Sequence, residues 1–161
     1  MNDEVKNLQA RLNLPPIHQI GLLTQDVRAI VATYESLFGL GPFITYEFRP
    51  DRHWYKNELT DFRALYAKGM LGDIELCFMQ PLEGKGIHME YLAAKGEGLF
   101  NLGFSVTDYE QSYARFVDCG FDPVARAESF VPAYNGYLKG CYFDTQEVCG
   151  MIFEIMWKSW L

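Results

Sequence analysis

Four side chains in this 161-residue sequence have the types and spacing to do chemistry. Glu75 and Glu154 each sit inside an apolar run, Ile74-Glu-Leu-Cys-Phe-Met79 and Ile152-Phe-Glu-Ile-Met156, and the amides Gln19 and Asn101 each stand two residues before a glycine. An ionised carboxylate in an apolar strand is costly without a partner. Two of them, each with a related amide, point to a built site. Proton transfer beside a carbonyl needs a base and an acid on opposite faces of a carbon, and donors for the enolate oxygen. Burial and mutual repulsion push paired carboxyl pKa values apart, leaving one group protonated. On this reading Glu75 and Glu154 are catalytic and Gln19 and Asn101 donate to the enolate. Arg63 pairs with a substrate carboxylate or phosphate, and Ser105 and Cys77 border the same space, Cys77 as a thiol or as a small buried hydrophobe.

The elements that must position these residues are written twice. Ile17-His-Gln-Ile-Gly-Leu-Leu-Thr-Gln-Asp26 resembles Leu99-Phe-Asn-Leu-Gly-Phe-Ser-Val-Thr-Asp108, with Gly21/Gly103 and Asp26/Asp108 each 82 apart. Asp is a good helix N-cap. Helical periodicity follows in both copies, through Val27, Ile30, Val31, Tyr34, Leu37 and Phe38, and through Tyr109, Tyr113, Phe116 and Val117. Each helix stops at a glycine, Gly39 or Gly120, with Pro42 or Pro123 three residues later. Strands are expected at Phe43–Phe48, about 61–67 and 72–79, then at about 121–130, 136–143 and 149–157.

The fold class is therefore α+β: two tandem βαβββ modules forming a curved, cupped mixed sheet with helices outside. One domain covers 1–161, with module one at about 17–80, a connecting segment at about 81–97 (helical over 87–94) and module two at about 98–157. A short amphipathic helix or frayed arm precedes Pro15-Pro16. Strand alternation puts Gln19, Gly21, Leu23, Glu75, Cys77, Asn101, Gly103, Ser105 and Glu154 on the concave side. It turns Ile20, Leu22, Phe100, Leu102 and Phe104 toward the helices. The glycines there are expected to leave room for a ligand, and Gln19 matches Asn101 as Glu75 matches Glu154.

The formal charge of −7 and the absence of a basic face argue against nucleic-acid binding. Arg49, Arg52, Lys56, Arg63 and Lys68 are interleaved with acids and read as a solvated surface; the other reading is a basic rim for a small anion. No apolar run approaches a membrane span and no secretion signal is evident. The four cysteines, Cys77, Cys119, Cys141 and Cys149, lack metal spacing and read as reduced thiols of a cytoplasmic protein. His53 and His88 read as exposed.

From Ile17 to Met156 the sequence resembles the vicinal oxygen chelate superfamily, which includes glyoxalase I, methylmalonyl-CoA epimerase, extradiol dioxygenases and the bleomycin- and fosfomycin-resistance proteins. The resemblance is carried by Ile74-Glu-Leu76, Pro81, Gly103-Phe-Ser-Val-x-Asp108 and Gly150-x-Ile-Phe-Glu-Ile155, and Phe38-Gly-Leu-Gly-Pro-Phe43 looks like the epimerase branch. It implies metal-ligand positions at Gln19, Glu75, Asn101 and Glu154. Both family histidines are amides here, so a divalent metal is possible but weakened. His18 becomes a ligand only if the strand register differs. Family members pair their modules within a chain or across a homodimer, and a homodimer is expected.

Two functions follow. One is a glyoxalase-like isomerase or lyase, similar to methylmalonyl-CoA epimerase, working by proton transfer beside a carbonyl. The other is a metal-free binding or resistance-type protein that sequesters an aromatic small molecule. It draws on Tyr46, Phe48, Trp54, Tyr55, Tyr66, Tyr134, Tyr137, Tyr142 and Trp157, three or more of which would have to line the pocket.

Overall fold

A computed structural model describes residues 3–161, with side chains from Asn7 onward. Helix α1 (Asp3–Leu12) lies against the outside of the second module, where Leu12 and Leu14 pack with Phe116, Phe143 and Ile155. Strand β1 (Ile17–Leu23) then leads through Asp26 into α2 (Val27–Phe38). Asp26 Oδ1 accepts the Ala29 amide at 3.0 Å, and Gly39 ends the helix at φ 64°, a left-handed conformation that glycine adopts without penalty. The second copy repeats this, with β7 (Gly98–Ser105), α4 (Tyr109–Asp118) and Asp108 Oδ1 capping at Gln111.

The remaining strands are β2 (Ile44–Phe48), β3 (Arg52–Tyr55), β4 (Glu58–Thr60), β5 (Phe62–Leu71) and β6 (Ile74–Gly84). Helix α3 (Ile87–Lys95) connects the halves, and β8 (Pro123–Val131), β9 (Gly136–Phe143), α5 (Gln146–Cys149) and β10 (Ile152–Lys158) complete the chain. All ten strands form one sheet in the order β2-β5-β6-β1-β7-β10-β9-β8-β3-β4. Within a single chain, the modules meet where β1 and β7 run antiparallel, Gln19 opposite Gly103 and Gly21 opposite Asn101.

The architecture is the expected α+β cup, with three differences. The hairpin β3–β4 leaves module one and pairs with β8 at the far edge, Trp54 opposite Arg126, which closes one end of the cup. The final strand begins at Ile152 because residues 146–149 form a helical turn. Phe100 does not pack under a helix. The β1–β7 ladder steps from Gly21/Asn101 to Leu22/Leu99, and this bulge turns Phe100 inward against His88 and Tyr142.

Apolar burial is layered accordingly. Val27, Leu76 and Phe78 pack between α2 and the sheet, and Phe116, Phe143 and Ile155 pack under α4. The third cluster, with Phe62, Tyr66, Met79, Phe100 and Tyr142, lines the interior of the cup.

Candidate functional site

The concave side encloses a cavity of about 610 Å³. Its mouth carries exposed Ile44 (71%) and Met70 (53%), and its far end is closed by buried His53 (4%), Phe62 (2%) and His88 (2%). Alternation along β5 sends Phe62, Ala64, Tyr66 and Lys68 inward, and along β10 it sends Ile152, Glu154, Met156 and Lys158 inward.

Gln19, Glu75, Cys77 and Glu154 all line this cavity, and Asn101 reaches Glu154 from behind it. Each amide holds a carboxylate of its own module. Gln19 Nε2 donates to Glu75 Oε1 at 2.5 Å, and Asn101 Nδ2 donates to Glu154 Oε2 at 2.9 Å. The two carboxylates are nevertheless not at equivalent ladder positions. Gln19 pairs with Glu75 and Gly21 with Cys77, whereas Asn101 pairs with Ile152 and Gly103 with Glu154. By register, Glu154 therefore matches Cys77, and Glu75 matches Ile152. A two-residue offset keeps the face and changes the depth, so the carboxylates sit at different levels of one hollow.

Their environments differ as much as their depth. Burial pushes the Glu75 carboxyl up, but Lys68, with Nζ 3.0 Å from Oε1, and the Gln19 amide outweigh it and leave the pKa below the ordinary value. Glu154 is 6% exposed, and burial pushes it up to about 7, against the opposing pull of Lys68, Tyr142 and Asn101. The Tyr142 hydroxyl stands between His88 Nε2, at 3.2 Å, and the Glu154 carboxylate, whose ionised form it favours. Phe62 is sandwiched between His53 and His88 with ring centroids 4.9 Å apart on each side. Burial lowers the pKa of His53 to about 4 and of His88 to about 3, so both imidazoles are neutral at pH 7. Burial raises the Cys77 thiol to about 12, which makes it a packing group and not a nucleophile.

Several residues stand elsewhere than the sequence suggested. Lys68 is no surface charge: it lines the cavity and pairs with Glu75. His53 and His88 are buried, not exposed, because the β3–β4 hairpin and α3 cover the deep end. Arg63 is directed outward, held by Glu47 at 2.9 Å and by Glu83, away from the cavity. Ser105 is half-buried beside Met156 and does not line the cavity. The glycines leave no ligand space. A Cβ on Gly21 would overlap Asn101 Oδ1, and one on Gly103 would come within 2.7 Å of Met156. His18 lies at a β1 bulge, between Ile17/Phe104 and Gln19/Gly103, with a buried Nε2 that has no hydrogen-bond partner among the described residues; it does not line the cavity.

The donor set suits hydrogen bonding better than metal ligation. Both amides turn their NH₂ groups toward the carboxylates, Asn101 Oδ1 being packed against Gly21, and an ammonium sits on Glu75 where a cation would bind. Among the described residues no group of three or more His, Cys, Asp and Glu is placed to hold an ion. The residues present do not fit a divalent transition metal.

A single cupped sheet of two βαβββ modules, with carboxylates on its inner strands, defines the class of glyoxalase-like proteins. Residues 18–137 match the model of the Glyoxalase/Bleomycin resistance protein/Dioxygenase superfamily, and the chain belongs to that family. Its fold is similar to that of methylmalonyl-CoA epimerase from Mycobacterium tuberculosis (15% identity, 89% of this chain and 88% of that one, TM-score 0.62). It is also similar to a variant of the Streptomyces coelicolor methylmalonyl-CoA epimerase in complex with 2-nitronate-propionyl-CoA (19% identity, 91% and 99%, TM-score 0.60). A mutant of 4-hydroxymandelate synthase from Streptomyces coelicolor matches with 15% identity and a TM-score of 0.61, over 91% of this chain and 48% of that one. No curated protein sequence matches the chain.

Proposed function

We propose that this protein is a metal-independent isomerase or lyase that moves a proton on a carbon beside a carbonyl, with Glu154 as the group that takes and returns it. The observation that carries this reading is the state of Glu154: buried, cavity-facing, held by Asn101 and near Tyr142, with a pKa of about 7. A base is most effective when its pKa lies near the working pH. The C–H bond breaks, its proton passes to the Glu154 carboxylate, and the electron pair moves onto the carbonyl oxygen. The Lys68 ammonium meets the developing enolate charge in a site largely screened from water. Glu75 stays ionised as the counter-ion that positions Lys68. Protonation elsewhere on the enolate gives isomerisation, and loss of a neighbouring group gives a lyase. The similarity of fold to methylmalonyl-CoA epimerases supports chemistry of this type.

The test is solvent-deuterium exchange into 2-oxo acids and 2-substituted acyl thioesters. Exchange is expected with the parent protein and is expected to vanish with Glu154→Gln, while Cys77→Ser retains it. Exchange that survives Glu154→Gln would remove the proposed base.

A second reading rests on a separate observation. Tyr46, Phe48, Tyr66, Tyr134 and Tyr142 all line the cavity, enough aromatic surface to stack a planar ligand. A binding protein would retain such a ligand unchanged and would show no exchange into any compound of either class.

A further inference from the structure

The protein as a whole carries −7, yet its cavity is lined by three cations, Lys68, Arg126 and Lys158, against two carboxylates. One carboxylate, Glu75, is committed to Lys68. The other, Glu154, is held by the Asn101 amide at 2.9 Å. Arg126 stacks its guanidinium over Trp54, 5.0 Å from the ring centroid. Lys158 has no such arrangement. It ends β10, four residues beyond Glu154 on the same face, at the mouth of the cavity. Among the described residues it forms no salt bridge and no side-chain hydrogen bond.

Its surroundings do not explain its presence. Burial disfavours its charge most, Lys68 repels it, and Glu75 and Glu154 attract it. A half-buried ammonium with no carboxylate in direct contact is destabilising unless a ligand completes it. Behind it lie Glu154 and the Lys68–Glu75 pair among Met156, Tyr66 and Phe48, and the deep end is closed by Phe62 and the neutral imidazoles of His53 and His88. A deep end closed by neutral rings excludes a charged group from that end, so the negative charge of a ligand belongs at the mouth.

We infer that the ligand of this cavity is a small organic anion, a carboxylate carried on an aromatic or apolar body, with the carboxylate on Lys158 and the body in the aromatic interior. This deepens the function proposed above by naming its substrate class, and it rests on the same cavity. Lys158 sets specificity through charge and takes no part in moving the proton.

Calorimetric titration with 3-phenylpropionate and 3-phenylpropionamide tests the inference, because the two share a shape and differ in charge. The carboxylate is expected to bind about tenfold more tightly than the amide, a typical worth for one desolvated charge contact. Lys158→Met is expected to abolish that difference while leaving amide binding unchanged, which also shows that the cavity is intact. Lys158→Arg is expected to keep it. Equal binding of the two compounds, binding of neither, or a preference that survives Lys158→Met would overturn the inference. Glu154→Gln separates the two proposals, since it is expected to lose exchange and keep the preference for the anion.

Discussion

Lys68 Nζ lies 3.0 Å from Glu75 Oε1, on the diagonal of the β5–β6 ladder, where Lys68 itself pairs with Cys77 and Glu75 with Met70. The side chains retain 22% and 17% exposure, so this is a pair largely removed from water. Breaking a fully buried pair by removing one partner costs about 3–5 kcal/mol, and residual exposure moderates that. Glu75→Gln is expected to destabilise the fold by about 2 kcal/mol, because it strands an ammonium in the cavity. Lys68→Met added to it is expected to recover more than half of the loss. Urea midpoints for the four proteins of the cycle check this, and additive effects would show that the pair is not coupled.

Tyr142 favours the charged form of Glu154. Tyr142→Phe removes that support and is expected to raise the Glu154 pKa further above about 7. The rising limb of a pH profile for deuterium exchange then moves to higher pH, with the plateau little changed. A limb that stays in place would show that the hydroxyl does not act on Glu154. His88→Phe, which leaves the hydroxyl in place, is expected to move the limb less.

Much of this was legible in the sequence, for reasons that can be traced. The repeat of Gly21/Asp26 in Gly103/Asp108 carries the two modules, because caps and turns are local chemistry that short segments encode. Alternation carried Gln19, Glu75 and Glu154 to the concave face for the same reason. Lys68, His53 and His88 were not legible, because what buries them is non-local. The β3–β4 hairpin crosses to β8, and no periodicity within residues 52–60 reports a partner strand about 70 residues away. The level of Glu154 was equally hidden: composition and alternation fix a face, and only inter-strand register fixes depth. One signal was available for Lys68, since it falls in phase with Phe62, Ala64 and Tyr66 on an otherwise buried strand face.

Metal removal is expected to change nothing. The amide NH₂ groups and Lys68 already satisfy the carboxylates that a metal would need. Dialysis against EDTA is expected to leave exchange activity within about twofold, since the proposed proton transfer uses no Lewis acid. Stoichiometric zinc, nickel or iron in the purified protein, or loss of activity restored by one of them, would contradict the lysine-based site.

Glu154 also ties stability to pH, and the sign is specific. Its pKa is about 7 in the fold against 4.5 for the ordinary group, so between these values the folded chain holds a proton that the unfolded chain has released. A raised carboxyl pKa stabilises the fold fully below about 4.5, and that contribution is lost as pH rises through about 7. The loss is on the order of 3 kcal/mol, at about 1.4 kcal/mol per pH unit. Glu75, shifted the opposite way, stabilises above the ordinary value and loses its contribution as pH falls through its lowered pKa, which confines its effect to more acidic solution. Glu154→Gln keeps an oxygen for Asn101 to donate to and cannot ionise. The variant is therefore expected to match the parent near pH 4.5 and to become progressively more stable than it up to pH 7, with a constant advantage above pH 8. Denaturation midpoints of the two proteins across that range decide the matter, and parallel curves would place the Glu154 carboxyl in contact with bulk water.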